Sequence, residues 1–271
     1  GALQDWQQRL ATLAGSSVVP VWTEQPFETW TLDAREHLNP GSQGESTWLL
    51  RLGAPAGSQI RWQAGDLVEI LPRQADSRIQ RWLDQHGLDG DAPVTVDGTA
   101  QSLRQALGAR LLPDSFEHLV GLHPQALLDA LIVLSVRQYS IASLESDGAL
   151  ELIVRQESRA DGALGIASGW LTHYLPVGAS VPLRLRRNAR FHLAEADTPA
   201  IFIGNGTGLA GLRSLLQASI RAGRRRNWLL FGERNRAHDF YCREEIEGWL
   251  ARGELERLDL AFSRDQAQKV Y

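Results

Sequence analysis

Leu3, Trp6, Leu10 and Leu13 recur at helical spacing, so the chain opens on a short amphipathic helix that ends near Gly15. From Trp22 to Leu71 the texture changes to short runs rich in Trp, Leu, Val and Thr. Turn formers such as Asn39-Pro40-Gly41 and Pro55-Ala56-Gly57 separate these runs, which predicts antiparallel strands. Between Ser77 and Leu134 the pattern is helical, carried by Leu83, Leu103, Leu107, Leu127, Leu128 and Leu131. Strand texture returns from Gln138 to Leu185, interrupted by a helix-like patch that begins near Ile166. After Thr198 the rhythm is strand (199–204), helix (209–222), strand (227–232), helix (239–251), strand (255–262). Such alternation predicts βαβ units on a parallel sheet.

Composition adds bounds. A chain of 271 residues can hold two packed domains, and 43% hydrophobic with 22% charged residues is ordinary for a globular protein. The net charge of −4 gives no reason to expect a nucleic-acid partner. No apolar run approaches ~20 residues, so this segment is not read as membrane-spanning, and its start has no signal-peptide core. The single cysteine, Cys242, excludes an internal disulfide and a Cys-based zinc site, and suits a reducing compartment. The expected location is cytoplasmic, as a free protein or as the cytoplasmic part of a larger, membrane-anchored one. No methionine occurs, and the chain stops at Tyr271 just after a strand-like segment. Both ends read as the boundaries of a fragment.

Chemistry concentrates first near residue 205. The segment Ala200-Ile201-Phe202-Ile203-Gly204-Asn205-Gly206-Thr207-Gly208 runs from an apolar strand through a glycine turn into a helix. Glycines let a backbone approach a pyrophosphate, and the helix start offers free N–H donors and a positive dipole end. The spacing is GxGxG rather than GxGxxG, and a tight turn without a ligand has the same outline. Glu233, at the end of the next strand, would lean toward NAD if it bonded a ribose hydroxyl. Past the third strand, Ser263, Arg264, Lys269 and Tyr271 offer two cations and two hydroxyls, a set able to surround a phosphate. An exposed charged loop would look the same.

These stretches together resemble the dinucleotide end of the diflavin reductases, the family of sulfite reductase flavoprotein and cytochrome P450 reductase. The family pattern GxGTGxAPxRxxxQ is similar to Gly204–Gln217, with Arg213 and Gln217 in place and Gly211 where the family has proline. Phe231-Gly232-Glu233-Arg234 resembles its FG–R segment, and Ser263, Arg264, Lys269 and Tyr271 resemble its SRxxxxKxY phosphate clamp. The resemblance implies NADPH in preference to NADH, held by Gly206, Thr207, Gly208, Arg234, Ser263, Arg264, Lys269 and Tyr271. P450 reductase-like members carry a cysteine where Glu233 stands; sulfite reductase-like members do without it.

The same resemblance extends upstream. Arg137-Gln138-Tyr139-Ser140-Ile141-Ala142-Ser143 resembles the family's RxYSIxS motif, and Gly165-Ile166-Ala167-Ser168-Gly169-Trp170-Leu171 resembles its diphosphate segment. An arginine can neutralise a pyrophosphate, a tyrosine ring can stack on an isoalloxazine, and a hydroxyl can bond near the atom that receives a hydride. The resemblance gives these roles to Arg137, Tyr139 and Ser140, with Ser140 as the catalytic hydroxyl and Gly165, Ile166, Ala167 and Ser168 holding FAD.

The implied fold is of the α+β, multidomain kind. An antiparallel β-barrel FAD domain (20–73 and 134–194) carries a helical connecting insertion (74–133), and a linker helix (1–19) precedes it. An α/β parallel-sheet NADP-binding domain (195–271) follows, ferredoxin–NADP reductase-like and truncated relative to the family. The expected activity passes hydride from NADPH to FAD, then electrons to a flavodoxin-like FMN domain or protein and on to an acceptor the sequence does not name. FMN is expected only if such a domain is present elsewhere. A stand-alone ferredoxin or flavodoxin reductase, and a non-catalytic dinucleotide-binding module, are the alternatives. Seven histidines have no metal-ligand spacing, so no metal is expected. Two arginine clusters, 184–190 and 221–226, read as solvated faces, one of them suited to guide an acidic flavodoxin-like partner.

Overall fold

The computed structural model describes residues 25–159, 162–194, 197–266 and 268. The opening helix, Lys269 and Tyr271 lie outside them.

Buried Trp30 and Leu32 alternate with more exposed neighbours in β1 (Glu28–His37), the period of two that a half-buried strand requires. β2 (Thr47–Gly53) and β3 (Leu67–Ile70) follow. The segment read as helical then holds α1 (Asp76–His86), β4 (Pro93–Val96), β5 (Thr99–Ser102), α2 (Leu103–Leu107) and α3 (Pro124–Ala130). The hairpin β4–β5 departs from the all-helical expectation. Its turn is Asp97-Gly98, with φ of 48° and 77°, and two positive φ values in succession are what a tight hairpin turn demands. Ser102 closes the hairpin and caps α2, with Gln105 completing a reciprocal capping box. Ile79, Trp82, Leu83, Leu107, Leu127 and Leu128 give this insertion its own core.

β6 (Arg137–Ser140), β7 (Leu150–Arg155), α4 (Ile166–Gly169) and β8 (Ser180–Arg186) complete the first unit. The six-stranded sheet runs β6-β3-β8-β1-β2-β7, antiparallel at every pairing. Its edges β6 and β7 meet at a bridge between Ile141 and Leu152, and Ala142 N donates to Glu151 O at 2.8 Å. The sheet therefore curls until its edges touch, around Trp30, Leu32, Leu50, Val68, Leu152 and Leu183.

A separate parallel sheet follows, in the order β11-β10-β9, from β9 (Ala200–Asn205), β10 (Asn227–Glu233) and β11 (Arg257–Phe262). Its connections are α5 (Leu209–Arg221), a short α6 (Arg236–Asp239) and α7 (Arg243–Ala251). Phe202, Leu229, Phe231 and Phe262 pack with Leu216, Ile246 and Trp249 of these helices. On the other face Ile201 and Ile203 are exposed. The sequence places Cys242 inside one helix spanning 239–251. Instead the helix breaks, and Cys242 caps α7 from the left-handed region at φ 53°. Among the described residues no helix is long and apolar enough to cross a membrane.

Candidate functional site

Strand alternation decides what β7 offers to each side. Leu150, Leu152 and Val154 point into the curled sheet, whereas Ile153 belongs to the core of the α/β unit. Glu151 and Arg155 share the outward face with it. The two units are thus packed against one another, and the candidate site lies along their junction.

A cavity of about 640 Å3 opens there. Arg137 and Tyr139 from β6, Gly165, Ile166, Ala167 and Ser168 around the start of α4, and Thr207 of the glycine turn line it, with Leu111, Arg155 and Glu157. Burial pushes the Tyr139 phenol up to about 12; Arg137 pulls it down and Glu157 adds to the rise. The phenol is un-ionised at physiological pH. Ser168 Oγ accepts from Glu157 N at 3.1 Å, which ties the start of α4 to the end of β7. Ser140 stands beside α5: a Cβ on Gly211 would lie 3.5 Å from both Cβ and Oγ of Ser140. Those are ordinary van der Waals distances; the tighter neighbour of Gly211, which stands where the family has proline, is Phe191 Cε1, 3.1 Å from such a Cβ.

A second cavity, about 320 Å3, is lined by Arg155, Asn205, Gly232, Glu233, Arg234, Ala261, Ser263 and Arg264. The ladder between β10 and β11 continues into it, with Ser263 N donating to Glu233 O at 2.9 Å and Arg264 N to Arg234 O at 2.8 Å. Asp265 holds the loop by accepting from Asn235 Nδ2 and Arg236 N, both at 3.0 Å. Ser263, Arg264 and Arg234 are brought together; Lys269 and Tyr271 fall outside the described residues.

Gly206 separates the cavities. Its φ of 53° lies in the left-handed region that favours glycine, and a Cβ there would stand 2.7 Å from Arg155 Nη2, which would have to move aside. Arg155 lines both cavities, and its guanidinium pairs with Glu233. Tyr241 OH also donates to Glu233, at 3.1 Å. Burial lowers the Arg155 pKa; the Tyr241 hydroxyl and the Glu233 charge outweigh that and raise it. Glu233 is thereby engaged by an arginine and a phenol. Arg155 went unnoticed in the sequence, although it is a charge on the odd-numbered face of a strand whose even positions are all apolar.

The arginine clusters have local partners. Arg184 Nε and Arg186 Nη1 bond the buried Glu69 carboxylate at 2.7 and 3.1 Å, and Gln138 Nε2 adds a third bond at 3.0 Å. Burial raises the Glu69 pKa, but these three bonds outweigh it and hold the carboxyl below the usual range. Arg221 pairs with Asp147 and Arg225 with Glu254.

The model of the family described as "Oxidoreductase NAD-binding domain" matches residues 202–271, the stretch that holds the glycine turn and the second cavity. Over 92% of the chain, the sulfite reductase [NADPH] flavoprotein alpha-component of Vibrio cholerae is 31% identical. Those of Aliivibrio fischeri and Salmonella typhimurium are 32% and 30% identical over 79%. The chain belongs to the diflavin reductase family. It spans about half the length of these relatives, 48%, 44% and 44% of each. The described residues of the upstream and downstream motifs that line the two cavities thus lie along one junction of this diflavin reductase segment.

Proposed function

We propose that this chain is an NADPH-dependent flavoprotein reductase module that binds FAD in the larger cavity and the 2′-phosphate end of NADPH in the smaller. The observation that carries the reading is the larger cavity itself, whose wall joins Arg137 and Tyr139 to residues 165–168 and to Thr207 of the opposite unit. The residues fit the group. Tyr139 offers a neutral ring face, Arg137 a cation for a diphosphate, and residues 165–168 a stretch of backbone at a helix start. When bound, FAD supplies a ring that accepts a hydride from NADPH and releases its electrons singly. The chain's own part is to orient. The glycine turn at 206–208 would bring the pyrophosphate of NADPH close, Ser263 and Arg264 would grip its phosphate, and Ser140, which stands against the first turn of α5 rather than in the lining of the larger cavity, would supply the hydroxyl near the hydride acceptor.

In this reading the electrons leave to a flavodoxin-like FMN domain or protein, and a sulfite reductase is the acceptor that the relatives' names favour. A cytoplasmic location suits that role. The domain bounds read from the sequence, with the FAD unit at 20–73 and 134–194 and the NADP unit at 195–271, are part of the proposal. The test is flavin uptake. The chain mixed with FAD is expected to hold one flavin through dialysis, and Tyr139→Ala to release it. A colourless wild-type chain would overturn the reading.

A further inference from the structure

The junction between the two units carries a charge pattern that neither cavity requires. Along the outward face of β7, Glu151, Ile153 and Arg155 present a negative, an apolar and a positive group in succession. The α/β unit answers with the opposite order. Arg213, one turn into α5, donates through Nη1 to Glu151 Oε2 at 2.7 Å and to Ala142 O at 2.8 Å. Ile153 enters the apolar cluster with Leu209 and Leu212. Arg155 pairs with Glu233 at the end of β10.

Both ion pairs are largely removed from water, with side chains 11 to 31% exposed, so each is stronger and more exacting than a surface pair. Arg213 is anchored from behind as well, since Glu245 Oε2 accepts from its Nε at 2.6 Å and Gln217 Nε2 donates to Glu245 Oε1 at 2.9 Å. Arg51 is the other cation facing Glu151, at 3.8 Å. A slip of β7 by two residues toward either end would break both pairs and press Glu151 or Arg155 into the apolar cluster, and a slip by four would set Arg155 against Arg213 or Glu151 against Glu233. The opposed order therefore admits a single register. That register holds Gly206 of the glycine turn beside Arg155 and, through Arg213, the start of α5 beside Ala142, which follows the strand bearing Tyr139 and Ser140.

We propose that Glu151, Ile153 and Arg155 form a register key that seats the α/β unit on the curled sheet, and that Glu151 and Arg213 act as positioning residues for hydride transfer. The second half of this rests on the flavin-reductase reading; the first half does not. Glu151 lines neither cavity, so its variants report seating without a direct ligand contact.

Hydrogen exchange on the ligand-free chain reads the seating alone. E151Q is expected to speed exchange of the amides of residues 206–213 about tenfold. In the FAD-loaded chain E151Q is expected to slow flavin bleaching at saturating NADPH about tenfold, since small misplacements of reacting groups cost that much or more. Half-saturation by NADPH and FAD retention should stay within about twofold on the same grounds, because the cavity-lining residues are untouched. R213K keeps the charge and loses the fork, and should show the same split if E151Q folds poorly. Unchanged exchange at 206–213 in both single variants would overturn the key. Faster exchange with bleaching at the wild-type rate would overturn the positioning role. A wild-type chain that binds FAD and is not bleached by NADPH would overturn the functional reading, leaving the exchange result to decide the key.

Discussion

At residue scale, burial and neighbours decide what each side chain can do. The Cys242 thiol is pushed up to about 12, chiefly by burial, with Glu245 and Glu151 adding to the rise against Arg213. Because the thiolate is the reactive form, roughly a thousandfold less of it exists at pH 8 than for an ordinary thiol. Iodoacetamide should therefore label Cys242 slowly in the folded chain and rapidly in urea; equal rates would show the thiol to be accessible and unperturbed. Arg264 carries the other residue-scale expectation. Arg264→Ala should raise the NADPH concentration for half-maximal flavin reduction about tenfold, the size of one lost charge-assisted bond, and leave NADH within about twofold. Equal losses for both nucleotides would take the 2′-phosphate away from Arg264. Arg137, Tyr139, Ser168 and Thr207 stand out in the sequence because each belongs to a short motif, and all four line one cavity. Arg155 and Glu151 do not, because a charge on a strand does not name the partner that folding brings to it.

At the scale of elements, Glu69 ties three strands together. It stands on β3 and takes its bonds from Gln138 on β6 and from Arg184 and Arg186 on β8. Its pKa is held below the usual range in the fold, so it contributes stability above the unfolded value of about 4.3. That contribution is lost as pH falls from there through the folded value. Urea unfolding across this acid window should show a flatter loss of stability for Glu69→Gln than for wild type; identical slopes would exclude the triad as its source. The strands and helices of the α/β unit were legible from their rhythm. The hairpin β4–β5 was not, although Asp97-Gly98 between Val96 and Thr99 is a strong turn signal; the leucines on either side set a helical period that masked it. The break before α7 was hidden for a related reason. The apolar spacing of Phe240, Ile246 and Trp249 runs through it, while the turn depends on a single left-handed residue, Cys242.

At the scale of the whole molecule, the order of the two sheets follows from the sequence, since alternating strands give way to a βαβ rhythm after Thr198. The closure of the first sheet and the seating of the second do not follow. They depend on pairs such as Ile141 with Leu152 and Asn39 with Asp239, which are 11 and 200 residues apart, and local periodicity carries no record of them. What the seating accomplishes is to bring Thr207 into one cavity with Tyr139. In the proposed reaction electrons cross this junction from NADPH to a flavin on the same chain. Anaerobic titration of the FAD-loaded chain tests it most directly. One equivalent of NADPH should bleach the flavin absorbance, and NADH should need far higher concentrations. A flavin that stays oxidised with excess NADPH, or that bleaches equally well with NADH, would contradict the account.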